Sequence, residues 1–465
     1  MAVKSEYCKG LLCNNKKVEL ATISHLMESE TADCVTTRIG EKLRGSSPIS
    51  SEFSIFRVPQ QLRNVNERAY EPQVVAIGPY HHGKQHLQQM EVHKLHYLRQ
   101  LLRRRIEDYS QVNRYVLAMR KLEESARRCY ADSFAFTSDD FVEMMLLDGC
   151  FLVEVIRKYA MTALIDNHDP IFVLPMNLYS IMRDVLLLEN QLPFFVLSEL
   201  FQLTKTVHEL GNFLAMVNHF LYGKSPGLGF VHADNNNNSV GCCSYAQDIK
   251  HLLGFAHDYW IPPYARTAVG KPIARYNLKF IRCATELREA GVKFRRAEEG
   301  EGQQHTLFDV EFKDGTFVIP MLTVEDETES FFRNLIAYEQ LPLKNNPSYV
   351  TDYMVLMDCL INSRKDVELL RRYEIIDNRL GDDEVVASLF NRLGDYVGVS
   401  HSYFSYCDVF EEVNLHCAKK RYKWLAKLRH DYFNSPWALI SFFAAVLLIL
   451  LSFLQTLYSG LSYEK

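Results

Sequence analysis

At 465 residues, with 48% hydrophobic and 23% charged side chains, the chain is long enough to bury one large core or two closely joined ones. A formal net charge of -5 removes any general electrostatic reason to bind nucleic acid. Eleven cysteines in no repeated spacing, behind an N-terminus without an apolar signal stretch, argue against a disulfide framework. They read as mostly reduced, small buried hydrophobes; Cys8 with Cys13 and Cys242 with Cys243 lack the CxxC spacing of zinc or redox sites.

Residues 1–50 are polar and end in the Gly-Ser-Ser-Pro stretch at 45–48, the composition of a loosely ordered lead-in. A helical body is expected over residues 51–430. In residues 90–104, Leu95, Leu98, Leu101 and Leu102 fall at helical spacing with basic residues between them. Ser138 followed by Asp139 and Asp140 reads as a helix start, a cap with carboxylates beside the positive end of the dipole. Helical patterns follow at 141–159, 181–191, 194–203, 207–221, 278–290, 325–338 and across 349–396. Residues 235–239 (NNNNS) and 298–304 (EEGEGQQ) read as surface loops. Phe308, Val310 and Phe312, then Asp314-Gly315, then Phe317 and Ile319, predict a β-hairpin with a turn that tolerates positive φ. Thr323 and Asp326 offer a capping box for the next helix.

Residues 437–457, WALISFFAAVLLILLSFLQTL, carry no charge, Pro or Gly. That is about the ~20 residues a helix needs to cross a membrane, and a buried core helix rarely runs so long without a polar residue. Lys419, Lys420, Arg421, Lys423, Lys427 and Arg429 precede the run, whereas only Glu464 and Lys465 follow within the tail 458–465. The positive-inside bias then predicts a single-pass protein with its body in the cytosol. The lone sequon Asn237-Asn238-Ser239 would be glycosylated only if the body faced the opposite way. The expected fold is therefore mainly α: a large helical body, a small β-hairpin or short sheet, and one C-terminal transmembrane helix.

No catalytic signature survives inspection. Gly223-Lys224-Ser225 ends like a phosphate-binding loop, but Asn218 stands where the leading glycine belongs. GxSxG, HExxH and GxGxxG are absent. His81, His82, His86, His93 and His96 include spacings suited to metal ligands, yet Pro79 and Gly83 put His81 and His82 in a turn and no acidic or cysteine cluster completes a shell. Asp139, Asp140, Glu143, Asp148 and Glu154 are scattered by helical spacing rather than paired for acid-base work. Two similar runs, Glu189-Asn190-Gln191-Leu192-Pro193 and Glu339-Gln340-Leu341-Pro342, are each expected to end a helix before a proline. Their polar side chains are expected to satisfy exposed backbone at helix junctions rather than to touch a ligand.

Four blocks in order make the chain recognisable: IFRVPQQLRNVNERAYEPQVVAIGPYHHGKQHLQQMEVHKLHYL from Ile55, DDFVEMMLLDGCFLVEVI from Asp139, DVLLLENQLPFFVL from Asp184 and FFRNLIAYEQ from Phe331. They resemble the hallmark blocks of the plant domain-of-unknown-function 247 family, over roughly residues 50–457. Val58, Gln60, Gln61 and Ala76 are small departures from its usual pattern. The resemblance implies a plant single-pass membrane protein with a helical body and no assigned catalytic activity, located at the plasma membrane. In grasses, some members are associated with self-incompatibility, which would make variable loops allele-specific recognition elements.

The leading expectation is a membrane-anchored interaction or signalling protein, not an enzyme, without cofactor or metal, with an unknown protein partner. Alternatives are a self-incompatibility determinant, and a membrane-bound enzyme or metal- or ligand-binding receptor using the His81 and His82 turn. The motif residues singled out for a structural or partner-binding role are Pro79, His81, His82, Gly83, Glu189, Asn190, Gln191, Pro193, Glu339 and Gln340.

Overall fold

A computed structural model describes residues 34–45, 53–104, 111–206, 212–222, 249–260, 279–298, 306–340, 348–397, 404–418 and 436–463. The chain divides into two units, Met1–Glu52 and Phe53–Lys465. In the first, the described residues form one helix, α1 (Cys34–Gly45). The second carries the core, which begins with α2 (Gln60–Val65), α3 (Gln88–Arg104) and α4 (Val112–Arg128).

The organising element is α5 (Ser138–Ala160), 23 residues with apolar groups on every side. A helix of that character has to be enclosed, and α3, α4, α7 (Phe194–Thr204) and α8 (Phe213–Tyr222) pack around it. Its cap is Thr137, one residue earlier than the sequence suggests: the Thr137 hydroxyl accepts the Asp140 N–H at 3.1 Å and donates to the Asp140 carboxylate at 2.7 Å. On α3, Leu98, Leu101 and Leu102 are buried as expected, but Leu95 is 54% exposed and the inner row is Met90, Lys94, Tyr97, Leu98 and Leu101.

The helix expected over 181–191 is α6 (Pro175–Asp184), and it stops at Asp184. Residues 185–190 continue as turns. The Glu189 run therefore does not end a helix: Asn190 and Gln191 turn their side-chain amides onto the Asp184, Val185 and Leu187 carbonyls that a continued helix would have used. Beyond α9 (Leu252–Trp260), the 278–290 pattern yields only the short α10 (Ala284–Glu289) among described residues.

Two small sheets follow. Strands β1 (Lys293–Arg296), β2 (Glu311–Lys313) and β3 (Thr316–Ile319) take the order β1-β3-β2, with β1 parallel and β2 antiparallel to β3. The hairpin turn is Asp314-Gly315 with φ of 51° and 77°, the positive pair that a two-residue type I′ turn requires. Phe308 lies before the strand rather than in it. The second sheet pairs β4 (Leu322–Val324) in parallel with β5 (Ile376–Asn378), which interrupts the expected helical stretch 349–396.

Around these lie α11 (Thr328–Glu339), α12 (Tyr349–Leu360), α13 (Arg364–Arg372), α14 (Asp383–Leu393) and α15 (Cys407–Ala418). No Thr323–Asp326 box opens α11; the Thr328 hydroxyl instead accepts the Glu325 N–H at 2.8 Å. A capping box does open α13, where Ser363 and Asp366 exchange bonds. Of the described cysteines, all free, only Cys150 is buried; Cys34 is exposed and five are intermediate, so the burial expected for most thiols does not hold.

The last helix, α16 (Pro436–Tyr463), corrects the largest expectation. Its described side chains, residues 440–456, are all exposed. Among the described residues no helix is long and apolar enough to cross a membrane, so the transmembrane helix expected at 437–457 is not supported. The basic run 419–429, the 235–239 loop, its sequon, Gly223-Lys224-Ser225 and most of the 298–304 loop lie outside the described residues.

Candidate functional site

Between the turn of 3₁₀ helix at Glu67–Tyr70 and the Gly78–Lys84 turn, the chain runs through a largely buried region without forming a helix or strand. A buried segment must still place every N–H and C=O. Here side chains take the place of a neighbouring strand. The Asp184 carboxylate accepts the N–H groups of Gln73, Val74 and Val75 at 2.8–3.1 Å. Asn190 Oδ1 accepts the Ile77 N–H at 2.7 Å, and Asn190 Nδ2 donates to the Val75 and Asp184 carbonyls at 3.0 and 2.9 Å.

Asp148 Oδ2 accepts the Gly78 N–H at 2.8 Å. Lys94 Nζ donates to the Ala76 carbonyl at 2.7 Å, to Glu91 at 2.6 Å and to Asp148 Oδ1 at 2.5 Å. Arg183 donates to the Arg68 and Glu71 carbonyls, while Ser330 and Asn334 donate to that of Ala69. Three acceptors around Lys94 Nζ are the geometry of an ammonium: burial pulls its pKa down, and Asp148 and Glu91 more than reverse that. Burial pushes the carboxyls of Asp148 and Asp184 up, opposed by Lys94 and by the Gln73 N–H respectively.

Gln191 closes the junction from the other side. Its Nε2 donates to the Val185 and Leu187 carbonyls, both at 2.7 Å, and its Oε1 accepts the Leu253 N–H at 3.2 Å. Its backbone carbonyl approaches Gly78 so closely that a Cβ there would sit 2.4 Å from the oxygen, and Gly78 has φ of 74°. Glycine is required at 78 on both counts. Glu189 accepts the Val58 N–H at 2.7 Å and pairs with Arg63 at 2.7 Å, and Pro193 stands at the N-cap of α7.

The two histidines divide sharply. His81 is buried, with Nδ1 3.6 Å from Glu71 and Nε2 3.7 Å from Glu189, and neither nitrogen is hydrogen-bonded. Burial, then the Lys84 charge, pushes its pKa down to about 3 against the pull of Glu71, so the ring is neutral at physiological pH. His82 is exposed, its ring edge-on to Phe136 at 5.4 Å, and Gly83 is exposed with φ of 80°. His86 Nε2 donates to the Pro72 carbonyl, 3.2 Å away, while His93 and His96 sit part-exposed on α3. The spaced histidines do not converge, and among the described residues no group of three or more His, Cys, Asp or Glu is arranged to hold a metal.

Glu339 builds a second, separate junction. It accepts the Val350 N–H at 2.9 Å, the Thr351 N–H at 2.7 Å and the Thr351 hydroxyl at 2.6 Å, joining α11 to α12, and meets His257 Nε2 at 2.9 Å. Gln340 is the C-cap of α11. His257 also faces Asp258 at 3.0 Å. Burial alone would lower its pKa; the bonds to Asp258 and Glu339 outweigh it and raise it to about 9.

Folded-state protonation is thus favoured over the unfolded chain, whose His titrates near the ordinary ~6.5. The stabilisation is complete below that value and is lost as pH rises through about 9; it is on the order of 3 kcal/mol. Denaturant titrations from pH 6 to 10 are expected to show this fall in the wild type and a much flatter profile in His257→Gln.

Asp184, Lys94, Arg183, Asn334 and His257 were not anticipated as site residues. Lys94 was detectable in principle, because it falls four residues after Met90 and four before Leu98, on the apolar row of α3. Of the acidic set, Asp148 is held by Lys94, which it shares with Glu91, and by the Gly78 N–H; Glu154 pairs with Arg104 and Arg157, Asp139 with Arg120, and Asp140 with the Thr137 cap.

The model of a plant family described as "Plant protein of unknown function", domain-of-unknown-function 247, matches residues 55–451. The chain belongs to this family. It is 33% identical over 431 residues to UPF0481 protein At3g47200 of Arabidopsis thaliana, covering 88% of this chain and 86% of the relative. It is 25% identical over 493 residues to putative UPF0481 protein At3g02645 of the same plant, covering 86% and 89%. No solved structure matches. The blocks that carry the resemblance to domain-of-unknown-function 247 meet in the polar lattice. The first block is the held segment, with Lys94. Asp148 comes from the second, Asp184 to Gln191 from the third and Asn334 from the fourth, whose Glu339 serves the separate junction with Val350 and Thr351.

Proposed function

We propose that the helical body is a non-catalytic scaffold that presents a fixed surface to a protein partner. One observation carries this reading: the polar side chains that a catalytic interpretation would need, Asp148, Asp184, Glu189, Asn190, Gln191 and Glu339, face inward and bond backbone groups. Side chains engaged in that way hold a chain in place and have little freedom to exchange protons with a substrate.

What the lattice leaves outside is a small rigid patch. Arg57 lies over the Tyr80 ring at 5.0 Å and pairs with Asp132 at 2.9 Å, and Phe134 and Phe136 link Tyr80 to the exposed His82. An exposed Arg with aromatic neighbours on a braced turn suits protein recognition, where Arg and aromatic residues anchor interfaces.

The test is crosslinking and mass spectrometry on plant tissue expressing the full-length chain or its Arg57→Glu/His82→Ala variant. Both substitutions are at the surface and are expected to change stability by no more than about 0.5 kcal/mol each. The proposal expects a partner crosslinked near the turn in the wild type and lost in the variant. Turnover of a small molecule by the purified chain, abolished by that same variant, would replace this reading with an enzymatic one.

A further inference from the structure

A groove of about 840 Å³ opens between the β2–β3 hairpin and α15, well away from the polar lattice. That volume lies within the ~300–1,000 Å³ typical of binding clefts. Its walls carry Glu311, Asp314, Asp408 and Glu412 against the basic residues Lys313 and His416. None of the four carboxylates has a salt bridge or side-chain hydrogen bond among the described residues.

The lining is not merely acidic. Leu415, 60% exposed, stands on the α15 wall, which also carries Val409, and β2 is an outer strand of its sheet. The walls are also fixed relative to one another. Phe312 packs edge-on to His416 at 5.6 Å, and a Cβ at Gly315 would lie 2.5 Å from the His416 ring. The hairpin tip therefore sits hard against α15, with the groove open before any occupant arrives.

We propose that this groove docks a basic, leucine-containing segment of a protein partner. Four unpaired carboxylates attract Lys or Arg side chains, the Leu415 and Val409 wall accepts an aliphatic one, and an outer strand suits an extended chain that alternates the two. The field reaches neighbouring groups. Asp309 is pushed up to about 6, by burial first and then by Glu311, and Cys407 is raised by burial and then by Asp408 and Glu411. This inference rests on the scaffold reading and adds the chemistry of the partner.

The probe is a fluorescent eight-residue peptide alternating arginine and leucine, with a glutamate-and-leucine peptide as control, titrated into full-length protein. The wild type is expected to bind the arginine peptide, at least tenfold more tightly than Glu311→Gln/Asp408→Asn/Glu412→Gln, with affinity falling as salt rises. The glutamate peptide should not bind. Equal binding by the triple variant, or no binding at low salt, overturns the groove assignment. Binding that appears only after Lys419, Lys420, Arg421 and Lys423 are changed to Gln also overturns the partner, assigning the groove to the chain's own basic run. Failure here while the tissue crosslink at the turn persists removes the groove and leaves the scaffold reading standing.

Discussion

Replacing Lys94 with methionine should lower the stability of the body by about 3–5 kcal/mol, the cost of leaving a buried carboxylate without its counter-charge. Lys94 is fully buried and Asp148 is 1% exposed, so no water can stand in for the lost ammonium. The Ala76 carbonyl loses its donor at the same time. Against a typical total of 5–15 kcal/mol this is a large share. Urea unfolding followed by circular dichroism would measure it as a lower midpoint at unchanged slope. The double variant Lys94→Met/Asp148→Leu removes both charges and is expected to recover part of the loss, although the Gly78 N–H then lacks its acceptor. A Lys94→Met protein as stable as the wild type would mean that Asp148 is protonated in the fold and the pair is not ionic.

Asn190→Leu should be comparably damaging for a different reason. One amide serves three buried backbone groups: the Ile77 N–H and the carbonyls of Val75 and Asp184. Each left unpaired costs about 1–3 kcal/mol, so a loss of roughly 3–9 kcal/mol is expected. Asn190→Asp discriminates between lost packing and lost bonding. It keeps the shape and the acceptor toward Ile77, but turns an oxygen toward two carbonyls that need a donor. It should therefore be destabilising as well, as a purely steric role would not require. Both effects concern the 73–78 segment, which has no strand beside it to share the load.

How much of this was legible from the sequence depends on the kind of interaction. The enclosed helix α5 and the Asp314-Gly315 hairpin were readable because continuous apolar character and a positive-φ dipeptide are local signals. Strands β4 and β5 were not, since each is three residues long and pairs across some fifty residues of chain. The 181–191 segment misled for a related reason. Its apolar spacing is helical, but Asp184, Asn190 and Gln191 divert the chain by bonding backbone that lies up to 115 positions away. No window of sequence contains that information.

The Pro79-His81-His82-Gly83 turn was placed correctly, while the division of labour within it was not readable. Burial of one ring and exposure of its neighbour depend on Glu71 and Glu189 closing over His81. At the C-terminus the apolar run 437–457 was legible as helix, and α16 spans it; the membrane span expected of it is not supported among the described residues.

The central claim is that inward-facing polar side chains hold residues 73–78 as firmly as a strand would. Native-state amide hydrogen exchange at Val75, Ile77 and Gly78, in the wild type and in Asn190→Leu, tests it most directly. The account predicts that in the wild type these amides exchange only through global unfolding, and that in the variant they exchange by local opening. Rapid exchange of all three in the wild type, at the rate of exposed loops, would contradict it.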